Sequence, residues 1–509
     1  MRAVTPPSEP SLRPAALLAV LLAPILAVAF APGPLGFLSP QDRRPPPRVE
    51  HSHIADPGAG TAQHLIPAPG GSAPSGPAAP APPASPVPPP APPAATPAPD
   101  PAPPAAASPA ATAAAPPPPS PAAAALAGAV DSHLADPRLA GTTVGLSVWA
   151  EGLGEVAARN ADLPLTPASN QKLFTAMGVL SLLPQTDTLV TEVRATGTQE
   201  GRTITGDLFL VGGGDPTLHA RGPHSLDDLA AAVKARGIDE IRGALVGDES
   251  RYDGVRAAPG WLPEHVPAFI GPLSALVVDR NQLRPDPDYA ADPLPGTLPY
   301  FRAALIRAGV RVDGPNGAGA APVGSAVLAA LGSPPVGDLV GEMLNQSDNL
   351  IAELLVKEVG YRTGRAAAPG STAAGLAAAT DAVRRLGVAL AGVAADGSGL
   401  SRNDRRSARE WRSLLQAALP RPWAERLVGS LPLAGRTGTL ARRFAGTAGE
   451  ANVRAKTGWI DEARSLSGYL TTAGGRHVVF SIIINGTTPT SQALNALDGL
   501  VAAIAADRS

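Results

Sequence analysis

Ser169 and Lys172 stand three residues apart in the stretch from Pro167 to Ala176. Residues at i and i+3 share one face of an α-helix, so a hydroxyl and an amine at this spacing can meet. A serine hydroxyl is a weak nucleophile until a base takes its proton. Lysine serves as that base only when its pKa falls several units below about 10.4, as burial beside a second cation would cause. Pro164 and Pro167 bracket the helix entry and set Ser169 near its positive N-terminal end, where a developing anion is favoured. The spacing alone is a weak sign, because Ser opens many helices and Lys is commonly solvated; an exposed helix start is the plain alternative.

Two further motifs lie downstream. Ser347-Asp348-Asn349 separates two apolar runs at helical spacing, and in isolation it reads as a helix cap. Lys456-Thr457-Gly458-Trp459 precedes strand-like runs over 466–470 and 478–485, which fit adjacent antiparallel strands, and the closing run 491–506 reads as an amphipathic helix packed on them. A strand is expected over 142–149, ahead of the Ser169 helix. The middle region has shorter elements: a β-like run over 203–211, a helix over about 225–236 and a strand over 243–247, an α+β pattern typical of an inserted subdomain. Gly212-Gly213-Gly214-Asp215-Pro216 reads as a structural turn rather than a phosphate loop, since no Gly-Lys-Ser/Thr ending follows.

Composition narrows the field. The chain has 509 residues, 60 of them proline and 54 glycine, so it is long enough for two or three domains but unevenly composed. A formal charge of −2 gives no electrostatic case for nucleic acid. Cysteine is absent, which excludes disulfides, thiolate zinc sites and a cysteine nucleophile. The eight histidines show no His-Glu-x-x-His or paired-ligand spacing, so no metal and no cofactor is expected; His51, His53 and His64 read as solvated.

The apolar run Ala15 to Ala31, preceded by Arg2 and Arg13, has the order of an export signal. Ala27-Val28-Ala29 offers a cleavage site, but the uncharged run continues to Leu38, and its roughly 25 Å helical length plus that extension matches the roughly 30 Å hydrocarbon core. We read it as an uncleaved N-terminal anchor in preference to a cleaved signal peptide, which places the remainder outside the cytoplasm, at the membrane or wall. Residues 41–123 are largely Pro, Ala, Ser and Thr, a disordered spacer that spans up to about 3.1 Å per residue.

Ser-x-x-Lys, Ser-x-Asn and Lys-Thr-Gly, in that order, form the set shared by penicillin-binding proteins and class A β-lactamases. From about Leu126 to its C-terminus the chain resembles the class C low-molecular-mass penicillin-binding proteins, the D-alanyl-D-alanine carboxypeptidase/endopeptidase family. Secondary motifs carry the resemblance too: Gly206 to Leu210 leading into Gly213 to Pro216, Val246 to Ser250, Val278-Asp279-Arg280-Asn281, and Asp396 to Ser401. It implies an α+β transpeptidase-like fold, a five-stranded antiparallel sheet with helices on both faces. Residues 124–190 and 333–509 form its two parts and 191–332 the insert, which is short for the two inserted domains common in the family.

The resemblance also implies roles. Ser169 attacks the carbonyl between two D-alanines of a peptidoglycan stem peptide, with Lys172 as base. Lys456, with burial, keeps Lys172 neutral and, with the Thr457 hydroxyl, holds the terminal carboxylate. Ser347 relays the proton to the leaving amine, and Asn349 orients Lys172 and the substrate amide. The backbone N–H groups of Ser169 and of Trp459, just past Gly458, form an oxyanion hole. Asp248 is implied as a substrate contact for a diaminopimelate amine, with an ordinary surface carboxylate as its alternative. β-Lactams are expected as covalent inhibitors rather than substrates, since Glu342-Met343-Leu344-Asn345 precedes Ser347 and has the wrong spacing for a deacylating glutamate. The competing functions are a serine β-lactamase and a catalytically silent wall-binding module.

Overall fold

The computed structural model describes residues 120–283, 292–364, 368–486 and 491–509. The expected anchor and all but the end of the Pro/Ala spacer lie outside the described residues. Within them, no helix is long and apolar enough to cross a membrane.

Helix α1 (Pro121–Leu134) starts at Ser120, whose hydroxyl accepts the Ala123 N–H. Strands β1 (Thr143–Ala150) and β2 (Gly154–Arg159) form a hairpin. A 3-10 turn at Ala168–Asn170 then leads into α2 (Gln171–Leu182). Every residue of α2 from Gln171 to Leu180 is buried, so its apolar pattern runs all round instead of along one stripe.

The insert follows as β3 (Val190–Ala195), β4 (Gln199–Glu200), β5 (Thr203–Ile204), β6 (Leu208–Val211), α3 (Leu226–Ala235), β7 (Glu240–Ile241), β8 (Leu245–Asp248), α4 (Leu294–Ala308), β9 (Arg311–Val312), β10 (Asn316–Ala318) and β11 (Ala326–Gly332). Its larger sheet has the order β10-β8-β6-β3-β11 and its smaller one β4-β5-β7-β9. The single run expected over 203–211 is therefore two strands in two sheets: the backbone turns between Thr205 and Asp207, and β5 and β6 pair with different neighbours. Both sheets share one core, in which Ile204 and Ile241 meet Val193, Leu210, Val233 and Phe301.

The second part of the main domain comprises α5 (Val336–Gln346), α6 (Asn349–Thr363), α7 (Thr372–Arg384), α8 (Ala408–Ala418), α9 (Ala424–Ser430), β12 (Arg454–Ile460), β13 (Ala463–Thr471), β14 (His477–Asn485) and α10 (Ser491–Ala506). The main sheet is antiparallel with the order β12-β13-β14-β1-β2. β1 and β14 close it across the insert, with Thr143 opposite Asn485 and Ala150 opposite Val478.

Side chains of a strand alternate between faces, and β14 shows what each face buries. Val479 and Ile483 join the core of α2, α5, α6 and α8, while Val478, Phe480, Ile482 and Ile484 join that of α1 and α10. Helices thus cover both faces. Ser481, on the first of these faces, bonds Ser467, which accepts from Asn170 at 2.6 Å and ties the Ser169 turn to the sheet.

Candidate active site

Ser169 lies in the 3-10 turn immediately before α2, and Ala168 ahead of it has φ +48°. A residue with a β-carbon at positive φ costs on the order of 1–3 kcal/mol and persists only where its surroundings fix it. Here they do: the Pro167 carbonyl accepts from Ser465 Oγ at 2.7 Å, and Thr166 exchanges two hydrogen bonds with the Asn485 amide.

Lys172 is fully buried, and its ammonium reaches three acceptors: Ser169 Oγ at 3.0 Å, Asn349 Oδ1 at 2.7 Å and the Ser398 carbonyl at 2.5 Å. Burial lowers its pKa to about 8, against the opposing charges of Asp396, Asp348, Glu353 and Asp404. The amine is thus aimed at the serine hydroxyl and loses its proton within reach of neutral pH.

The Ser347-Asp348-Asn349 segment is both a cap and the corner at which the two lysines are met. Ser347 ends α5 at φ +63°, and the Asp348 carboxylate caps α6 through the Ile351 N–H at 2.9 Å. The two half-buried neighbours of the capping residue reach the two lysines. Asn349 takes Lys172, and Ser347 Oγ accepts from Lys456 Nζ at 2.9 Å.

β12 runs past the serine turn. A β-carbon on Gly458 would sit 2.8 Å from the Pro167 carbonyl oxygen and 3.1 Å from the Ala168 side chain, so only glycine admits this approach. Thr457 Oγ1 donates to Thr439 Oγ1 at 2.8 Å, and Trp459 is exposed, with the Arg464 guanidinium 3.9 Å over its ring.

Lys456 is also fully buried, and its pKa falls well below the ordinary lysine value, first through burial and then through the charge of Lys172. Burial is the first cause of the lowering at both lysines, and repulsion between the two ammonium groups adds to it.

A family model for "D-Ala-D-Ala carboxypeptidase 3 (S13)" matches residues 126–293 and 290–506. The D-alanyl-D-alanine carboxypeptidase of Actinomadura sp. (strain R39) is 33% identical over 438 residues, covering 70% of this chain and 80% of that protein. The chain belongs to the S13 peptidase family. Carboxypeptidase DacB of Mycolicibacterium smegmatis is 31% identical over 396 residues, covering 74% and 83% of the two chains. Penicillin-binding protein 4 (dacB) of Haemophilus influenzae shares the fold, with a TM-score of 0.66 at 22% identity over 73% of this chain and 97% of that one.

Asp248 lies in a cleft of its own. It is buried, its two carboxylate oxygens accept the Ser250 N–H at 2.8 Å and the Ala321 N–H at 2.7 Å, and it lines a cleft of about 560 Å³ with Glu192, Arg194, Arg251 and Tyr361. None of the catalytic groups lines that cleft. With both oxygens engaged by backbone, Asp248 holds a loop and, being buried, is not the ordinary surface carboxylate that was its alternative.

Further residues meet the S13 site. Ser398 offers Lys172 a backbone carbonyl, which no side-chain pattern announces. Glu353 lies one helical turn past Asn349, a spacing that could have flagged it. Beside Trp459, a cleft of about 130 Å³ is walled by His265, Phe269, Leu400, Arg402, Ile460 and Asp461.

Proposed function

We propose that the chain is a serine-type D-alanyl-D-alanine carboxypeptidase that cleaves peptidoglycan stem peptides through an acyl-enzyme and is acylated by penicillin. The observation that carries this is the 3.0 Å contact between Ser169 Oγ and the Nζ of a fully buried lysine. Such a lysine, with its pKa near 8, is half neutral about one unit above physiological pH, so it takes the serine proton without a strong external base.

The proton leaves Ser169 Oγ for Lys172 Nζ as the oxygen bonds to the penultimate D-alanine carbonyl. Charge develops on the carbonyl oxygen, where the backbone N–H groups of Ser169 and Trp459 are the candidate donors; one such donor is worth about 10²–10³ in rate. The C–N bond then breaks, and the amine of the leaving D-alanine takes that proton from Lys172 through Ser347. Ser347 links Lys456 to this side of the cleft. Water cleaves the resulting ester, returning the proton to Ser169. Lys456 and Thr457 hold the terminal carboxylate, whose negative charge favours the ammonium form of Lys456. Asn349 fixes Lys172 and keeps its own amide N–H on the Phe269 carbonyl at 3.1 Å.

The apolar N-terminal run supports an exported, membrane-anchored enzyme, as a wall substrate requires. The test is digestion of purified wall fragments with the full chain, read by mass spectrometry. Loss of one alanine from pentapeptides is expected. Conversion of crosslinked dimers to monomers with no alanine loss would make it an endopeptidase, and no product at all would remove the enzymatic function.

A further inference from the structure

Glu353 is fully buried in α6, and the acyl transfer described above does not use it. Its Oε1 accepts two successive backbone N–H groups, Gly397 at 3.0 Å and Ser398 at 2.8 Å. The same loop turns its carbonyls the other way. The Asp396 carbonyl accepts from Gln171 Nε2 at 3.1 Å, the Gly397 carbonyl from Thr175 Oγ1 at 2.7 Å, and the Ser398 carbonyl from Lys172 Nζ at 2.5 Å. Three peptide units are thus sandwiched, with their carbonyls on side chains of the first turns of α2 and two of their N–H groups on one carboxylate of α6. Beyond Ser398, Gly399 at φ +83° lies against the Ala168 carbonyl, where a β-carbon would stand 2.0 Å away.

We infer that Glu353 is the positioning residue of the catalytic lysine: it holds the Asp396–Ser398 loop so that the Ser398 carbonyl fixes Lys172 Nζ against Ser169. α6 then sets the lysine twice, directly through Asn349 and indirectly through Glu353 and the loop. Geometry, not charge, is what Glu353 supplies. Burial and the neighbouring Asp396 push its pKa up to about 8, so at neutral pH it is mostly the neutral acid, which still offers a carbonyl oxygen to both N–H groups. Its Oε2 has no hydrogen-bond partner among the described residues, so an amide nitrogen in that place gives up no existing bond.

The inference rests on Ser169 being the acylated nucleophile, and the experiment separates the two. The maximal acylation rate by fluorescent penicillin, and the concentration giving half that rate, are measured on the full chain for wild type, Glu353→Gln, Glu353→Asp and Glu353→Met, beside each thermal midpoint. Failure of wild type to be acylated would overturn the function. With wild type acylated, the maximal rate is expected to stay within about 5-fold in Glu353→Gln. In Glu353→Asp it falls about 10-fold, because the shorter side chain withdraws its oxygen, and in Glu353→Met about 100-fold, the usual consequence of a misplacement near 1 Å. Half-saturating concentrations change less than about 3-fold, since the loop does not touch the substrate carboxylate site.

A pH profile adds a readout that loss of folding does not move. Lys172 faces Asp348 and Glu353 of the α5–α6 junction and α6, Asp396 and Asp404 of the loop region, and Lys456 of β12. Losing the Ser398 carbonyl disfavours the ammonium, so the acidic limb of acylation moves to lower pH in Glu353→Met, and by less in Glu353→Gln, which keeps the loop and loses only the partial charge of Glu353. If Glu353→Met does not fold, the order of Gln above Asp still decides. An order of Asp above Gln, or equal rates in folded Glu353→Met and wild type, would overturn the inference.

Discussion

Two lysines without solvent contact make the site costly. Lys172 has a folded pKa of about 8 against 10.5 in the unfolded chain. Between these values the unfolded state binds the extra proton, so stability rises with pH through that window. Below pH 8 the full penalty is present, on the order of 3 kcal/mol. Lys172→Met is therefore expected to abolish acylation while raising the thermal midpoint at pH 7, and to flatten the rise in stability between pH 8 and 10.5. A lower midpoint at pH 7 would show that the three acceptors around Nζ outweigh its desolvation. In the wild type, acylation should fall as pH drops through about 8, because the protonated amine cannot take the serine proton.

The residue types at these positions were legible because chemistry dictates them. A serine needs a base one helical turn away, and a carboxylate-ended substrate needs a cation beside a hydroxyl. The contacts of Ser398 and Glu353 were not, since one acts through its backbone and the other through the backbone of a loop 44 residues distant in sequence. The loop contacts of Asp248 were not legible either, because a short Gly-Asp-Glu-Ser motif does not say which backbone N–H groups its carboxylate meets.

At the scale of elements, the α5–α6 junction carries Ser347 and Asn349, and its position depends on the insert. Arg280 reaches Asp348 at 2.7 Å from a turn in which Asp279, Arg280 and Asn281 have φ of +44°, +61° and +53°. Three successive side-chain-bearing residues at positive φ are unfavourable by on the order of 1–3 kcal/mol each. Asn281 anchors the turn through the Pro272 carbonyl at 2.9 Å, and the Asp279 carboxylate accepts the Ala220 N–H at 3.2 Å. The Arg280–Asp348 pair is partly solvated and worth under about 1 kcal/mol in stability. Arg280→Ala is thus expected to lower the acylation rate about 10-fold through a looser Asn349, with little change in thermal midpoint. An unchanged rate would confine Arg280 to the surface.

Helix ends and the terminal strands were readable from periodicity, and Ser491 to Ala506 falls where the pattern put it. The two-residue strands of the small sheet were not, because so short a run has no period to read.

The whole molecule explains why the insert cannot be a detachable module. It meets the main domain at buried polar groups: Arg251 and Tyr252 bond Glu358 at 2.7 and 3.0 Å, Trp261 Nε1 bonds Asp396 at 2.8 Å, and Lys357 pairs with Asp253. Lys357 and Glu358 are fully buried, and leaving either without its partner costs about 3–5 kcal/mol. Replacing residues 191–332 by a short linker is expected to give an insoluble chain rather than an active enzyme of altered specificity, as measured by the soluble fraction on expression. A soluble, acylatable product would contradict that dependence. Removing residues 1–119 is expected to leave acylation within about 2-fold, because a Pro/Ala-rich segment buries no core.

The central claim is that Ser169 is the nucleophile that Lys172 activates. Intact-mass and peptide mass spectrometry of the full chain after exposure to penicillin tests it most directly. One penicillin adduct per chain, on the peptide containing Ser169 and absent in both Ser169→Ala and Lys172→Met, is expected. An adduct that persists in Ser169→Ala, or none on the wild type, would contradict it.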